Sequence, residues 1–138
     1  MAGDPYIRLQ GVGKRYDTIG YDTNAVRVAQ LSVGEDHHRE NDADEIAAST
    51  RLRFTASAAD LVDRDVYVVT VPTPIDEHKR PDFTPLIEAS RVIGGLLKPG
   101  DTVIYESTVY PGATEEICVP ELERASSLRF NVDFFVGY

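Results

Sequence analysis

From Val66 to Val71 the chain reads Val-Tyr-Val-Val-Thr-Val, six residues without a charge, and Pro72 stops the run. β-Branched and aromatic residues in so continuous a stretch fit a strand covered on both faces, which points to a central strand of a parallel sheet. A parallel neighbour requires a long crossover, usually a helix, and the next residues supply one. Pro72, Pro74 and Pro81 stiffen a loop that carries Thr73 and the charged run Asp76-Glu77-His78-Lys79-Arg80. Thr84-Pro85 then reads as an N-cap followed by proline at the first helical position. Leu86, Ala89, Ile93, Leu96 and Leu97 share one helical face, Lys98-Pro99-Gly100 closes the helix, and Thr102–Thr108 reads as the following strand. In an open parallel sheet ligands lie beyond the carboxyl ends of the strands, so Thr73 and Ser107-Thr108 mark one rim.

The same alternation runs through the rest of the chain. Asp17 to Asp22 reads as a short strand ending in an acid, and Asn24 is placed to cap a helix running through Val28 and Leu31 to Gly34. An acid at this point of a dinucleotide fold accepts hydrogen bonds from ribose hydroxyls, whereas the competing reading of Asp22 is a turn aspartate. Glu35 to Glu45 is polar and reads as a loop entering a short helix near Ile46; its adjacent His37 and His38 lack the i, i+4 spacing of helical metal ligands. Arg51–Thr55 reads as a further short strand and Ser57–Val62 as a helical turn. After Thr108, Val109-Tyr110-Pro111-Gly112 is a turn into a helix with Thr114 as candidate cap, Pro120 as a kink or break, and Leu122 and Ala125 on its apolar face. Val132–Val136 reads as the last strand. Strands alternating with helices predict an α/β, Rossmann-like doubly wound, mostly parallel sheet.

Composition narrows the function. In 138 residues the formal net charge is −9, which provides no basic field for a nucleic-acid backbone or an anionic membrane. No apolar run reaches the roughly 18 residues of a membrane-spanning helix, and the start lacks the basic-then-apolar pattern of a signal peptide, so the expected location is the cytoplasm. The single cysteine, Cys118, lies among Glu115, Glu116 and Glu121, an acidic setting that raises rather than lowers a thiol pKa and predicts a structural residue.

Tyr21-Asp22 with Arg27, Val69-Thr70-Val71-Pro72-Thr73-Pro74-Ile75-Asp76, and Tyr105-Glu106-Ser107-Thr108-Val109-Tyr110-Pro111-Gly112-Ala113-Thr114-Glu115-Glu116 together resemble the cofactor domain of the nucleotide-sugar dehydrogenases. The wording is most similar to the branch that oxidises UDP-N-acetylhexosamines for bacterial surface polysaccharides, and the resemblance runs from about Gly13 to Tyr138. In that family NAD is reduced twice while the sugar C6 alcohol becomes a carboxylate through a cysteine-bound intermediate. The resemblance implies that Asp22 holds the adenine ribose, that Arg27 lies near the adenosine, and that Val71, Pro72, Thr73, Pro74 and Ile75 line the cofactor channel. Ser107 and Thr108 would approach the nicotinamide and the reactive water, with Thr108 positioning that water. It further implies a UDP-sugar as partner of the full-length enzyme and assembly as a homo-oligomer.

Two departures from the family pattern set further expectations. Gly11-Val12-Gly13 is followed by Tyr16 where the third glycine of a G-x-G-x-x-G turn belongs, so the turn that cradles a pyrophosphate is not legible. Residues 1–13 thus read as an atypical N-terminal segment and residues 14–138 as a partial NAD-binding domain, incomplete at its first β-α unit, with Tyr6–Gln10 a candidate replacement strand. The catalytic cysteine and the UDP-sugar domain of the family are expected beyond Tyr138. The resulting expectation is a cofactor-domain fragment that binds NAD weakly and does not turn over alone; the alternative is a non-enzymatic Rossmann-like remnant or interaction module without cofactor.

Overall fold

The computed structural model describes residues 16–36, 43–75, 77–78 and 80–138. The chain divides into two compact units, Met1–Ser57 and Ala58–Tyr138. The expected N-terminal replacement strand, the glycine-rich stretch and the His37-His38 pair lie outside the described residues.

In the first unit, β1 (Thr18–Tyr21) and β2 (Leu52–Thr55) pair in parallel, with Thr18 opposite Leu52 and Tyr21 opposite Thr55. The crossover between them carries α1 (Ala25–Ser32) and α2 (Ala43–Ala48). Asn24 starts α1: its side-chain oxygen accepts hydrogen bonds from the amides of Val26 at 3.1 Å and Arg27 at 3.2 Å, which satisfies two of the helix's four orphan donors. Gly34, at φ +83°, takes the left-handed turn that ends the segment. Gly20 is needed for a different reason. A Cβ there would come within 2.7 Å of the Phe54 ring, its partner across the ladder.

The second unit is a three-stranded parallel sheet in the order β3 (Val66–Val69), β4 (Thr102–Tyr105), β5 (Phe135–Gly137). The crossovers are α3 (Thr84–Gly94) and α4 (Val119–Ser126). Every pairing between named strands is parallel, as expected. The middle strand of this sheet is β4, however, and not the Val66 run. β3 alternates: Tyr67 and Val69 are buried, while Val66 and Val68 are 56% and 57% exposed. The core lies on one face, where Tyr67, Val69, Val103 and Tyr105 join Leu86, Ile93, Cys118, Leu122 and Phe134. A continuous apolar run therefore did not guarantee two covered faces.

Four further expectations are corrected by local structure. Thr84 belongs to the first turn of α3 rather than capping it; Asp82 Oδ1 accepts from the Thr84 amide at 2.9 Å, and Phe83 occupies the cap position. Thr114 is likewise inside its helix and buried. Pro120 does not break that helix. Residues Thr114–Cys118 form a wider i→i+5 segment, with the Val119 amide bonded to Thr114 O, so that Pro120 falls in the first turn of α4 where no amide proton is required. The last strand begins at Phe135 instead of Val132 because Arg129–Asp133 is a tight turn. The amides of Val132 and Asp133 bond to Arg129 O, Asp133 Oδ2 accepts from the Arg129 amide at 2.9 Å, and Asn131 adopts φ +57°. Side-chain bonds to nearby backbone hold these residues out of the ladder.

Candidate cofactor-binding site

The carboxyl ends of β3 and β4 point the same way because the strands are parallel neighbours in register. Their exits form a rim of two loops. The first, Val71 to Asp82, contains prolines at 72, 74 and 81, so three of its residues lack an amide proton. Two bonds anchor it: Ser107 Oγ donates to Val71 O at 2.7 Å, and the Asp82 amide donates to Pro74 O at 2.7 Å. Ile75 and Pro81 are joined by an antiparallel bridge, and Ile75 projects as an exposed residue. Between the two anchors lies Thr73, whose Oγ1 is buried and has no hydrogen-bond partner. Buried hydroxyls are nearly always paired, so an orphan at this strand exit stands apart from the rest of the rim.

The second loop, Ser107 to Gly112, carries Thr108, which is exposed. Tyr110 closes it. The ring stands edge-on to Phe83 with centroids 5.8 Å apart and planes at 75°, and its hydroxyl donates to Glu116 Oε2 at 3.1 Å. Desolvation and the neighbouring Glu116 carboxylate push the Tyr110 hydroxyl pKa up. Thr73, Ser107 and the Val71–Ile75 backbone are thus brought to one end of one sheet, together with Thr108. Sequence reasoning missed Asp82, Phe83 and Glu116 as the tethers of this rim; the signal available was an aspartate two residues ahead of a helix start, a common Asx-turn placement.

In the first unit Asp22 follows the last residue of β1, and its amide extends the ladder to Thr55 O at 3.2 Å. Of the two readings of this residue, the turn role is visible in its hydrogen bonds. Oδ1 accepts from the Asn24 amide at 2.8 Å, a turn role, while Oδ2 is 3.6 Å from Arg27 Nε, a loose pair with both side chains 38% exposed. That second oxygen retains capacity to accept from a sugar hydroxyl. A shallow open depression at the other end of the ladder is lined by Tyr16, Thr18, Thr50 and Leu52 and is remote from Asp22.

Cys118, the last residue of the wide helical segment, is buried. Ser90 Oγ donates to Leu86 O at 2.7 Å, so the 2.6 Å contact between Ser90 and Tyr105 is a bond donated by the tyrosine hydroxyl. Burial pushes the Cys118 thiol pKa up and leaves it a poor nucleophile. Among the described residues no group of three or more His, Cys, Asp or Glu side chains is arranged to hold a metal ion. None of the described helices is long and apolar enough to cross a membrane.

Parallel ladders joined by helical crossovers, with an acid after the first strand and an unpartnered hydroxyl at a later strand exit, define a Rossmann-like dehydrogenase cofactor domain. Solved structures share this fold: a UDP-D-ManNAc dehydrogenase from Pyrococcus horikoshii is 33% identical, with TM-score 0.79 over 88% of this chain and 29% of that one. A GDP-mannose dehydrogenase from Pseudomonas aeruginosa, solved as a ternary complex, is 26% identical with TM-score 0.79 over 88% of this chain and 30% of that one. The family model for the UDP-glucose/GDP-mannose dehydrogenase family, NAD binding domain, matches residues 10–138, and the chain belongs to that family. Among curated proteins, a UDP-N-acetyl-D-glucosamine 6-dehydrogenase of Pseudomonas aeruginosa is 58% identical across 91% of this chain, and one of Salmonella typhi is 47% identical across the same share. The chain spans 30% of the length of each.

Proposed function

We propose that this chain is the NAD-holding part of a nucleotide-sugar 6-dehydrogenase that converts a UDP-N-acetylhexosamine to the corresponding uronic acid, in the cytoplasm, for bacterial surface-polysaccharide synthesis. Residues 14–138 make up the partial cofactor domain, and the sugar chemistry belongs to the larger protein, a homo-oligomer. The only cysteine here, Cys118, is buried with a raised pKa and is not the covalent nucleophile such a reaction needs. Asp22 accepts from the adenine-ribose hydroxyls and Arg27 flanks the adenosine. Val71, Pro72, Thr73, Pro74 and Ile75 line the channel, and Ser107 and Thr108 approach the nicotinamide end. When bound, NAD supplies the hydride acceptor.

The observation that carries this reading is the buried, unpartnered Thr73 Oγ1 at the exit of β3. Tyr16 in place of the third glycine supports weak affinity, since the amides that would face the pyrophosphate are those of a glycine-rich turn. NAD titration followed by amide chemical shifts tests both points: binding weaker than micromolar is expected, with perturbations at Asp22, Thr73 and Thr108. Silence at those residues up to millimolar NAD would favour the cofactor-free remnant. A one-site micromolar isotherm would contradict the expected loss of affinity.

A further inference from the structure

We propose that Tyr110 is a positioning residue of the rim, clamping the two strand-exit loops into one platform that presents Thr73 to the dinucleotide; this rests on the cofactor reading above. Thr73 is flanked by Pro72 and Pro74, so the backbone on either side of it offers no amide proton with which the loop could secure itself. Its position depends on the two acceptors that bracket it, Val71 O and Pro74 O. Val71 O is held by Ser107 Oγ, from the β4-exit loop. Pro74 O is held by the amide of Asp82, which also receives the Thr84 amide at Oδ1 and immediately precedes Phe83. Phe83 in turn meets the Tyr110 ring, from the β4-exit loop again. Both anchors of Thr73 therefore trace back to the same six-residue loop, Ser107 at one end and Tyr110 near the other.

Tyr110 is itself fixed twice. Its hydroxyl reaches Glu116, and its carbonyl accepts from the Ala113 amide at 3.1 Å. Gly112 makes that short return possible at φ +92°, a backbone conformation that favours glycine. The ring is 44% exposed, so its removal leaves the core intact.

Amide hydrogen exchange without ligand, paired with NAD titration of the same chain well below its melting temperature, tests the proposal. Tyr110→Ala is expected to speed exchange at Thr73 and Ile75, across the rim from the substitution, and to weaken NAD by about fivefold, the size of a lost edge-to-face ring pair. Tyr110→Phe keeps the ring pair and is expected to stay near the parent in both readouts; Phe83→Leu tests the contact from its other side and is expected to resemble Tyr110→Ala. Unchanged exchange at Thr73 and Ile75 in Tyr110→Ala overturns the clamp, and so does faster exchange with unaltered NAD affinity. A Tyr110→Phe chain as impaired as Tyr110→Ala overturns the role of the ring. Thr73→Val separates the two levels: if it leaves NAD binding unaffected the cofactor reading itself fails, whereas a loss there combined with an inert Tyr110→Ala sinks the clamp alone.

Discussion

Thr73 is held with its hydroxyl shielded from water and from every protein partner. Such a group costs about 1–3 kcal/mol of folding free energy, and an apolar isostere removes the cost. Thr73→Val is accordingly expected to raise denaturant-measured stability by about 1 kcal/mol while weakening NAD, two changes of opposite sign. A variant that unfolds earlier contradicts the assignment. Tyr105 gives the pH counterpart. Burial raises its hydroxyl pKa above the ordinary 10.0, so the proton is held more tightly in the folded chain than in the unfolded one. Its contribution is complete below pH 10 and is lost as pH rises above that value, because the unfolded chain ionises first. Alkaline unfolding followed by circular dichroism should show this decline, and Tyr105→Phe should flatten it. Asn24 as cap and Cys118 as structural thiol were legible from residue type and neighbours. The orphan state of Thr73 was not, because it depends on which groups fail to reach it in three dimensions.

Among the elements, the crossing of α3 and α4 is set by Gly94, where a Cβ would lie 2.6 Å from Ala125 Cβ and 3.1 Å from Leu122 O. Gly94→Ala is therefore expected to destabilise the second unit by roughly 1–3 kcal/mol through overpacking. Adding Ala125→Gly should recover only part of the loss, since the Leu122 backbone contact remains. Thermal melts of the single and double variants measure both. Helix α3 was readable from its periodic apolar residues and α1 from its cap. What escaped was decided by short-range bonds with no periodicity: Asp82 taking the capping role from Thr84, the wide segment that admits Pro120, and the Asp133 carboxylate that keeps Val132 out of β5.

For the molecule as a whole, a net charge of −9 opposes an anionic dinucleotide on average. Added salt screens that repulsion over about 10 Å at 0.1 M, so NAD affinity is expected to rise between low and physiological ionic strength. A fall would mean that cationic contacts to the phosphates dominate. The α/β class was legible because crossovers of helical length separate the strands. The division of the described strands into a pair and a triplet was not, because apolar periodicity marks a strand without naming its neighbour. The second face of the triplet, taken by itself, has a practical consequence. Within the second unit Val66, Val68 and Phe135, the last 47% exposed, share that face with Ile104, an apolar surface that environment-sensitive dyes are expected to find. A dye-based melt would begin bright and rise little, and unfolding of this protein is better followed by its own tyrosines.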